Sequence, residues 1–456
     1  MKRVATAVCL IIALAICARP PGSIAQAAEP WLPNSPGAGH CAVGSSGATL
    51  GNGALRFALS SSEQRLKPLA LENAYDRINT ALRGELFEIQ LHDGRRLRAS
   101  DFRLEGPLAC SKLEGVPAAA RGADRRDGVE LRASLHQADG DLVVAFAIQL
   151  RDGSNYLREL LRLETPRELD IASVTLISLD LPGAAVVGVV DGSPLTAGDL
   201  FLGFEHPMAQ ASAIGGHATA LVKRVLPLRA AVGASYSAVM GVAPPGQLRR
   251  GFAAYLEAER AHPFRTFLHY NSWYDIGYFS RYSEADALAV INAYGEQLVR
   301  KRHVPMDSFL FDDGWDDTSR LWQFHAGFPS GFTPLRDSSA KFGAAPGIWL
   351  SPWGGYGPPR KERLATAAGL GYEIDTQGLA LSGPRYYALV HGVAIDLLRR
   401  YGINQFKFDG TGNADRVFRG SRFDSDFDAM IHLIGELRHE KPDIYINLTT
   451  GTTASP

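Results

Sequence analysis

Lys407 and Asp409 stand two residues apart in QFKFDGTGN, residues 405–413, a run that otherwise reads as a buried strand. Side chains alternate between the faces of a strand. Phe406 and Phe408 therefore share one side, and Gln405, Lys407 and Asp409 the other. A lone ammonium in a protein interior loses several kcal/mol of solvation, a cost that a neighbouring carboxylate and an open mouth offset. A carboxylate beside an ammonium stays ionised at neutral pH, as a nucleophile must. The pair makes sense where a polar ligand enters, and the other reading is an internal ion pair without chemistry. FDDGW adds Asp312 and Asp313 ahead of Gly314 and Trp315: either acceptors for hydroxyl groups beside an aromatic wall, or an Asp-Gly turn capping a helix. LHYNSWYD supplies Asn271, Trp273 and Asp275, and WLSPWGGYG supplies Trp349, Ser351, Trp353 and Tyr356. Such tryptophans pack either in a core or on the apolar face of a sugar.

The elements that must carry these residues follow one pattern. From Thr266 onward the apolar strands TFLHYNSW, DSFLFDDGW, PGIWLSPWGG, NQFKFDGTG and DIYINLTTG alternate with amphipathic stretches such as SEADALAVINAYGEQLVRKR and RYYALVHGVAIDLLRRYG. That alternation predicts a parallel sheet of (β/α) type, whose active sites lie at the C-terminal strand ends. The candidate residues fall at those ends. Gathered with carboxylates on one rim, the aromatic residues fit a carbohydrate site.

Residues from about 40 to 250 read differently, as alternating segments such as VELRASLHQADGDLVVAFAIQLRDGS punctuated by Asp-Gly and Pro-Gly turns. Those are antiparallel strands joined by hairpins. The predicted fold is multidomain, β plus α/β: a β-sandwich over residues 28–250, a linker helix over 251–265 ending before Pro263, and an incomplete (β/α)8 TIM-type barrel over 266–456.

A chain of 456 residues is long enough for two full cores, and with 46% apolar residues, 21% charged residues and a net charge of -1 it shows neither disorder nor a polyanion-binding surface. Nucleic acid is not an expected partner. Residues 1–27 read as a signal peptide: Lys2 and Arg3, an apolar run short for a membrane span, and Ala25-Gln26-Ala27 before a cleavage site at Ala28. A periplasmic or secreted protein is expected, and lipidation at Cys17 is a second reading. Removal of the signal leaves Cys41 and Cys110, either a disulfide or two small apolar residues. HLIGELRHE places His432, Glu436 and His439 at helical spacing, but Ile431, Leu433, Ile434 and Leu437 supply a buried stripe, and the polar residues read as its solvated face. No metal or cofactor is predicted.

NSW, DDGW and KFDG, in this order on successive strands, resemble the α-galactosidase-type retaining glycoside hydrolases of families 27 and 36, and GSPLTAGDLFLGFEHPM within the β region is closer to family 36. The resemblance implies that Asp409 is the nucleophile, that Lys407, Asp312 and Asp313 hold sugar hydroxyls, and that Trp273 lines the terminal-sugar pocket. Asn271, Trp315 and Trp353, from the same strand ends, are the further expected substrate contacts. It implies hydrolysis of terminal α-linked galactose-like sugars from an oligosaccharide or glycoconjugate by double displacement, without a cofactor. Transglycosylation through the same intermediate and a carbohydrate-binding pseudoenzyme are the alternatives. Two departures stand out. Ser351 and Pro352 occupy a strand end where the family carries a glutamate pattern. The sequence stops at NLTTGTTASP, before the sixth strand that bears the family's acid/base carboxylate. A shortened enzyme is therefore expected, as a homo-oligomer or with another polypeptide completing the barrel, since such a barrel takes about 250 residues.

Overall fold

The computed structural model describes residues 31–278, 280–411 and 414–449. The predicted signal peptide lies outside them. Two hydrophobic cores divide the chain, one within residues 48–242 and one within residues 270–444.

The first core is enclosed by three antiparallel sheets. A five-stranded meander covers residues 40–81, a nine-stranded sheet is centred on residues 128–164 and 234–242, and a six-stranded sheet is built around Ile171–Asp180. Period-two alternation is what selects this arrangement. In Val143–Arg151, Val144, Phe146, Ile148 and Leu150 face the core while Ala145, Ala147 and Gln149 face out. Cys41 and Cys110, on the first strand of the meander and the edge strand Ala109–Leu113, are joined in a disulfide, which resolves the alternative left open by the sequence. Closing a loop of 69 residues, it is worth about 4 kcal/mol in the chain-entropy account.

The helix joining the two halves, α1, spans Leu248–Glu259 rather than 251–265. Its last turn closes when the Arg260 N–H bonds the Leu256 carbonyl, and Pro263 then disfavours helical backbone at the residue before it. Tyr255 of α1 is buried against Tyr156 and Phe201 of the nine-stranded sheet.

Beyond it, five parallel strands lie side by side in chain order: β1 (His269–Asn271), β2 (Ser308–Phe311), β3 (Ala345–Leu350), β4 (Gln405–Asp409) and β5 (Tyr445–Thr449). Between them run α2 (Glu284–Tyr294), α3 (Thr333–Ala340), α4 (Gly357–Leu370), α5 (Pro384–Tyr401) and α6 (Asp426–Glu440). Helix starts are locally encoded. Ser283 and Asp286 form a capping box on α2, and the Ser425 hydroxyl accepts the Asp428 N–H on α6. Parallel strands in unbroken order require the chain to wind in one sense, and the sheet curls: Phe267, at the foot of β1, stacks on Tyr445, at the foot of β5, with ring centroids 4.1 Å apart. No helix among the described residues is long and apolar enough to cross a membrane.

Candidate active site

The site lies where β1 to β5 end. In β4, Phe406 and Phe408 are fully buried and lie parallel to each other, 5.4 Å apart, on the face away from Lys407 and Asp409. Register pairs Lys407 with Trp349 of β3 and Asn447 of β5, and Asp409 with Thr449. The polar residues of β4 are thereby set against the polar ends of both neighbours.

Lys407 does not pair with Asp409, although the sequence suggested it. Residues two apart on a strand stand about 7 Å apart, so the ammonium reaches instead toward β2, where Lys407 Nζ lies 2.7 Å from Asp312 Oδ2. Asp312 is held at three further points. Its N–H donates to the Ser272 hydroxyl (2.8 Å), its carbonyl accepts from the Tyr282 hydroxyl (2.6 Å), and its Oδ1 accepts from the Asp313 N–H (2.9 Å). Burial raises the Asp312 carboxyl above the ordinary aspartate range, against the opposing charge of Lys407. The turn after it depends on Gly314, whose φ of 121° brings its Cα toward the Ser280 carbonyl; a Cβ there would stand 2.6 Å from that oxygen.

Asp409 is surrounded by donors. Its Oδ1 accepts from the Thr449 hydroxyl (2.8 Å), the Gly410 N–H (2.8 Å) and the Tyr356 hydroxyl (3.1 Å), and its Oδ2 from Trp349 Nε1 (3.1 Å). The Ser351 hydroxyl donates to the Asp409 carbonyl and accepts the Gly355 N–H, both at 2.9 Å. The serine that departs from the expected glutamate pattern thus ties the β3–α4 loop to β4.

Arg363 of α4 was not among the sequence candidates. It is fully buried and donates to both oxygens of Asp316 (2.7 and 3.0 Å), to Asp313 Oδ1 (2.6 Å) and to the Gly354 carbonyl (3.1 Å). Its guanidinium lies over the rings of Trp322 and Trp349, 4.8 and 5.2 Å from their centroids. Burial raises the Asp313 carboxyl, and Arg363 opposes the rise. In GPPRKERLATAAGL three cations precede the one apolar stretch, and only the buried Ala367 one turn on marks Arg363 as inward. That signal is too weak to read in advance.

Asp409, Lys407, Asp312 and Asp313 therefore come together at one rim. Trp273 is partly exposed beside them, next to Ser272, with its ring 5.2 Å from Tyr278. Asn271 is half-buried and its side-chain oxygen caps the turn, accepting the Trp273 N–H. Trp315 and Trp353 are not pocket walls. Trp315 is fully buried with its indole N–H on the Trp349 carbonyl (2.9 Å), and Trp353 is buried with its N–H on Asp426 Oδ2 (2.9 Å). Each follows a strand end yet turns into the helix layer, where a large ring gains most by burial and its N–H must find a partner. Asp275 accepts the Tyr270 hydroxyl, and His432 bonds the Tyr387 hydroxyl (2.7 Å), linking α6 to α5.

Four carboxylates, Asp312, Asp313, Asp316 and Asp409, face two cations, Lys407 and Arg363. Such a site accepts hydrogen bonds from neutral polyhydroxylated ligands and stabilises positive charge developing among its acceptors.

No protein-family model matches the sequence, and no curated protein matches it by sequence. By structure, the chain is similar to the GH36 α-galactosidase AgaB of Geobacillus stearothermophilus, with a TM-score of 0.61 and 14% identity over 90% of this chain and 72% of that one. It is also similar to the α-galactosidase of Lactobacillus brevis (TM-score 0.58, 11% identity, 91% and 70% covered). A variant of AgaA from Geobacillus stearothermophilus, solved in complex with stachyose, superposes with a TM-score of 0.58 at 14% identity, over 89% and 72% of the two chains. At these identities the likeness establishes a shared fold: a β region followed by a TIM-type region.

Proposed function

We propose that this chain is an exported glycoside hydrolase of the α-galactosidase type, removing terminal α-linked galactose-like sugars with retention, and that its five-stranded sheet is part of a (β/α)8 barrel. One observation carries the reading: Asp409 stands at the end of a parallel strand within a ring of donors, on the same rim as the Lys407–Asp312 pair. The shared fold with α-galactosidases supports it, and the stachyose complex of a structural neighbour supports an oligosaccharide as substrate. The Cys41–Cys110 disulfide supports an oxidising compartment, in line with the signal-like N-terminus.

In this reading Lys407, Asp312 and Asp313 take the hydroxyls of the terminal sugar and Trp273 covers its apolar face. Asp409 attacks the anomeric carbon as the bond to the departing group breaks, and the electron pair of that bond leaves with it. The product is a glycosyl ester on Asp409, which water later cleaves. The donors around Asp409 fix the carboxylate for attack, and the acidic surroundings favour the oxocarbenium-like transition state.

The test uses α-galactosyl fluoride, whose leaving group departs as fluoride with little need of protonation. Intact-protein mass spectrometry should show one added hexose, peptide mapping should place it on Asp409, and Asp409→Asn should abolish it while retaining galactose binding. A label on another carboxylate would overturn the assignment. A folded, galactose-binding sample that takes no label would establish a carbohydrate-binding protein instead.

A further inference from the structure

A guanidinium with no exposure cannot touch a substrate, yet Arg363 is joined to both halves of the site. Its Nη2 bonds Asp313 Oδ1 at 2.6 Å, while Asp313 Oδ2 has no hydrogen-bond partner among the described residues and the side chain keeps 10% exposure. One carboxylate oxygen is thus fixed from behind and the other is left for a ligand hydroxyl. On its other side Arg363 lies against the Trp349 ring, whose N–H donates to Asp409 Oδ2. Asp316, buried and bonded to the guanidinium through both oxygens, anchors it. A lysine could supply the charge but not the planar fork that reaches Asp313 and Asp316 together beside two indoles.

We propose that Arg363 is the positioning residue of this site, holding Asp313 in the orientation that receives a sugar hydroxyl and bracing the Trp349 indole that donates to Asp409. The proposal rests on the sugar-site reading above, and it assigns to a buried helix residue a role in substrate affinity as well as in stability.

Titration of the full chain with D-galactose, followed by calorimetry across pH, tests it with four proteins: the parent, Asp313→Asn, Arg363→Lys and the double variant. Asp313→Asn and Arg363→Lys should each weaken galactose binding about tenfold, and the double variant should be no weaker than Asp313→Asn alone, because the arginine acts through that carboxylate. Affinity should also fall at low pH as Asp313 takes up its proton. A lysine keeps the charge but not the hydrogen bond by which Arg363 also lowers Asp313, so this acid limb should move to higher pH in Arg363→Lys. A purely structural arginine would lower the melting temperature and leave the limb where it was.

Should Arg363→Lys fail to fold, Asp316→Asn carries the test: both Asp316 oxygens accept from the guanidinium, so the substitution should loosen Arg363 and weaken galactose binding, and unchanged affinity in the folded variant would overturn the proposal. Additive losses in the double variant, or unchanged affinity in folded Arg363→Lys, would also overturn it while leaving the sugar site standing. A parent that does not bind galactose, or an Asp313→Asn that binds it equally well, would sink the sugar-site reading and this proposal with it.

Discussion

The two buried acids that matter most differ in their neighbours. Asp312 is raised by burial but faces Lys407, whereas Glu159, 2% exposed in the middle of the strand Tyr156–Glu164, has only apolar residues beside it in the sheet, Ile148 and Ala238. Its Oε1 has no hydrogen-bond partner, and burial alone raises its carboxyl well above the glutamate range. The sign of the linkage follows. A raised folded-state pKa favours the protonated native state, so this contribution is complete below the unfolded value and is lost as pH rises through the folded one. Each pH unit between the two costs about 1.4 kcal/mol. Glu159→Gln keeps the shape and removes the titration. Urea unfolding of parent and variant at about pH 5 and about pH 8 should show the variant losing less stability on going to the higher pH. Asp312, Asp313 and Asp426, also raised by burial, contribute equally to both proteins and cancel in the difference. Parallel pH dependences would mean that Glu159 is hydrated or paired in solution.

At the scale of the elements, the β region and the order of the parallel strands were legible because period-two alternation and strand-helix alternation are properties of neighbouring residues. Asp409, Lys407, Asp312 and Asp313 were legible for the same reason, since a strand end predicts where a polar side chain must point. What a side chain meets after a turn was not legible. Trp273 and Trp353 look alike in sequence, yet one stays at the rim and the other is buried with its N–H held by Asp426, the first residue of α6. Asp426 is buried and accepts three donors from two loops: Trp353 Nε1 (2.9 Å), the Leu381 N–H (3.1 Å) and the Ser382 N–H (2.7 Å). Asp426→Ala leaves all three without an acceptor, and hydrogen bonds to a charged group are worth about 1.5–3 kcal/mol each. A loss of about 3 kcal/mol or more is therefore expected from the denaturant midpoint, with Trp353 fluorescence shifting as its N–H is released. A loss below about 1 kcal/mol would show that water replaces the carboxylate and that the brace is dispensable.

Across the whole molecule, the same segment that leads into α6 is gripped by the β region. Arg224, whose side chain is 3% exposed, donates to Asp424 (Nη2 to Oδ1, 2.7 Å) and to the Tyr236 hydroxyl, Arg229 bonds the Arg422 carbonyl, and His206 Nε2 lies 3.1 Å from Asp428 Oδ1. Arg224 and Asp424 stand 200 residues apart, and neither is distinguished in sequence from any other surface charge, so this clamp emerges only when both cores are folded. Its position gives it reach: the clamp fixes residues 422–428, Asp426 fixes Trp353, and the loop carrying Trp353 begins at Ser351, which bonds Asp409.

The two partners in the clamp differ in access to water, and that difference sets an order that can be measured. Asp424 keeps 34% of its side chain exposed and can rehydrate when its partner is removed, whereas Arg224, left alone, is a buried charge with an Nε that already lacks an acceptor. Asp424→Ala should consequently destabilise by about 3 kcal/mol, in the range for orphaning a buried ion, and Arg224→Leu, which removes the charge and keeps apolar volume, by distinctly less. In calorimetry both variants should weaken the coupling between the unfolding of the two cores, because the buried ion pair of the clamp is gone while the Arg229 and His206 contacts remain and each core keeps its own packing. If Arg224→Leu proves the more damaging of the two, the guanidinium contributes through the Tyr236 hydroxyl and the β region rather than through the clamp. If Asp424→Ala unfolds at the parent's temperature in one transition, the domains are held together elsewhere.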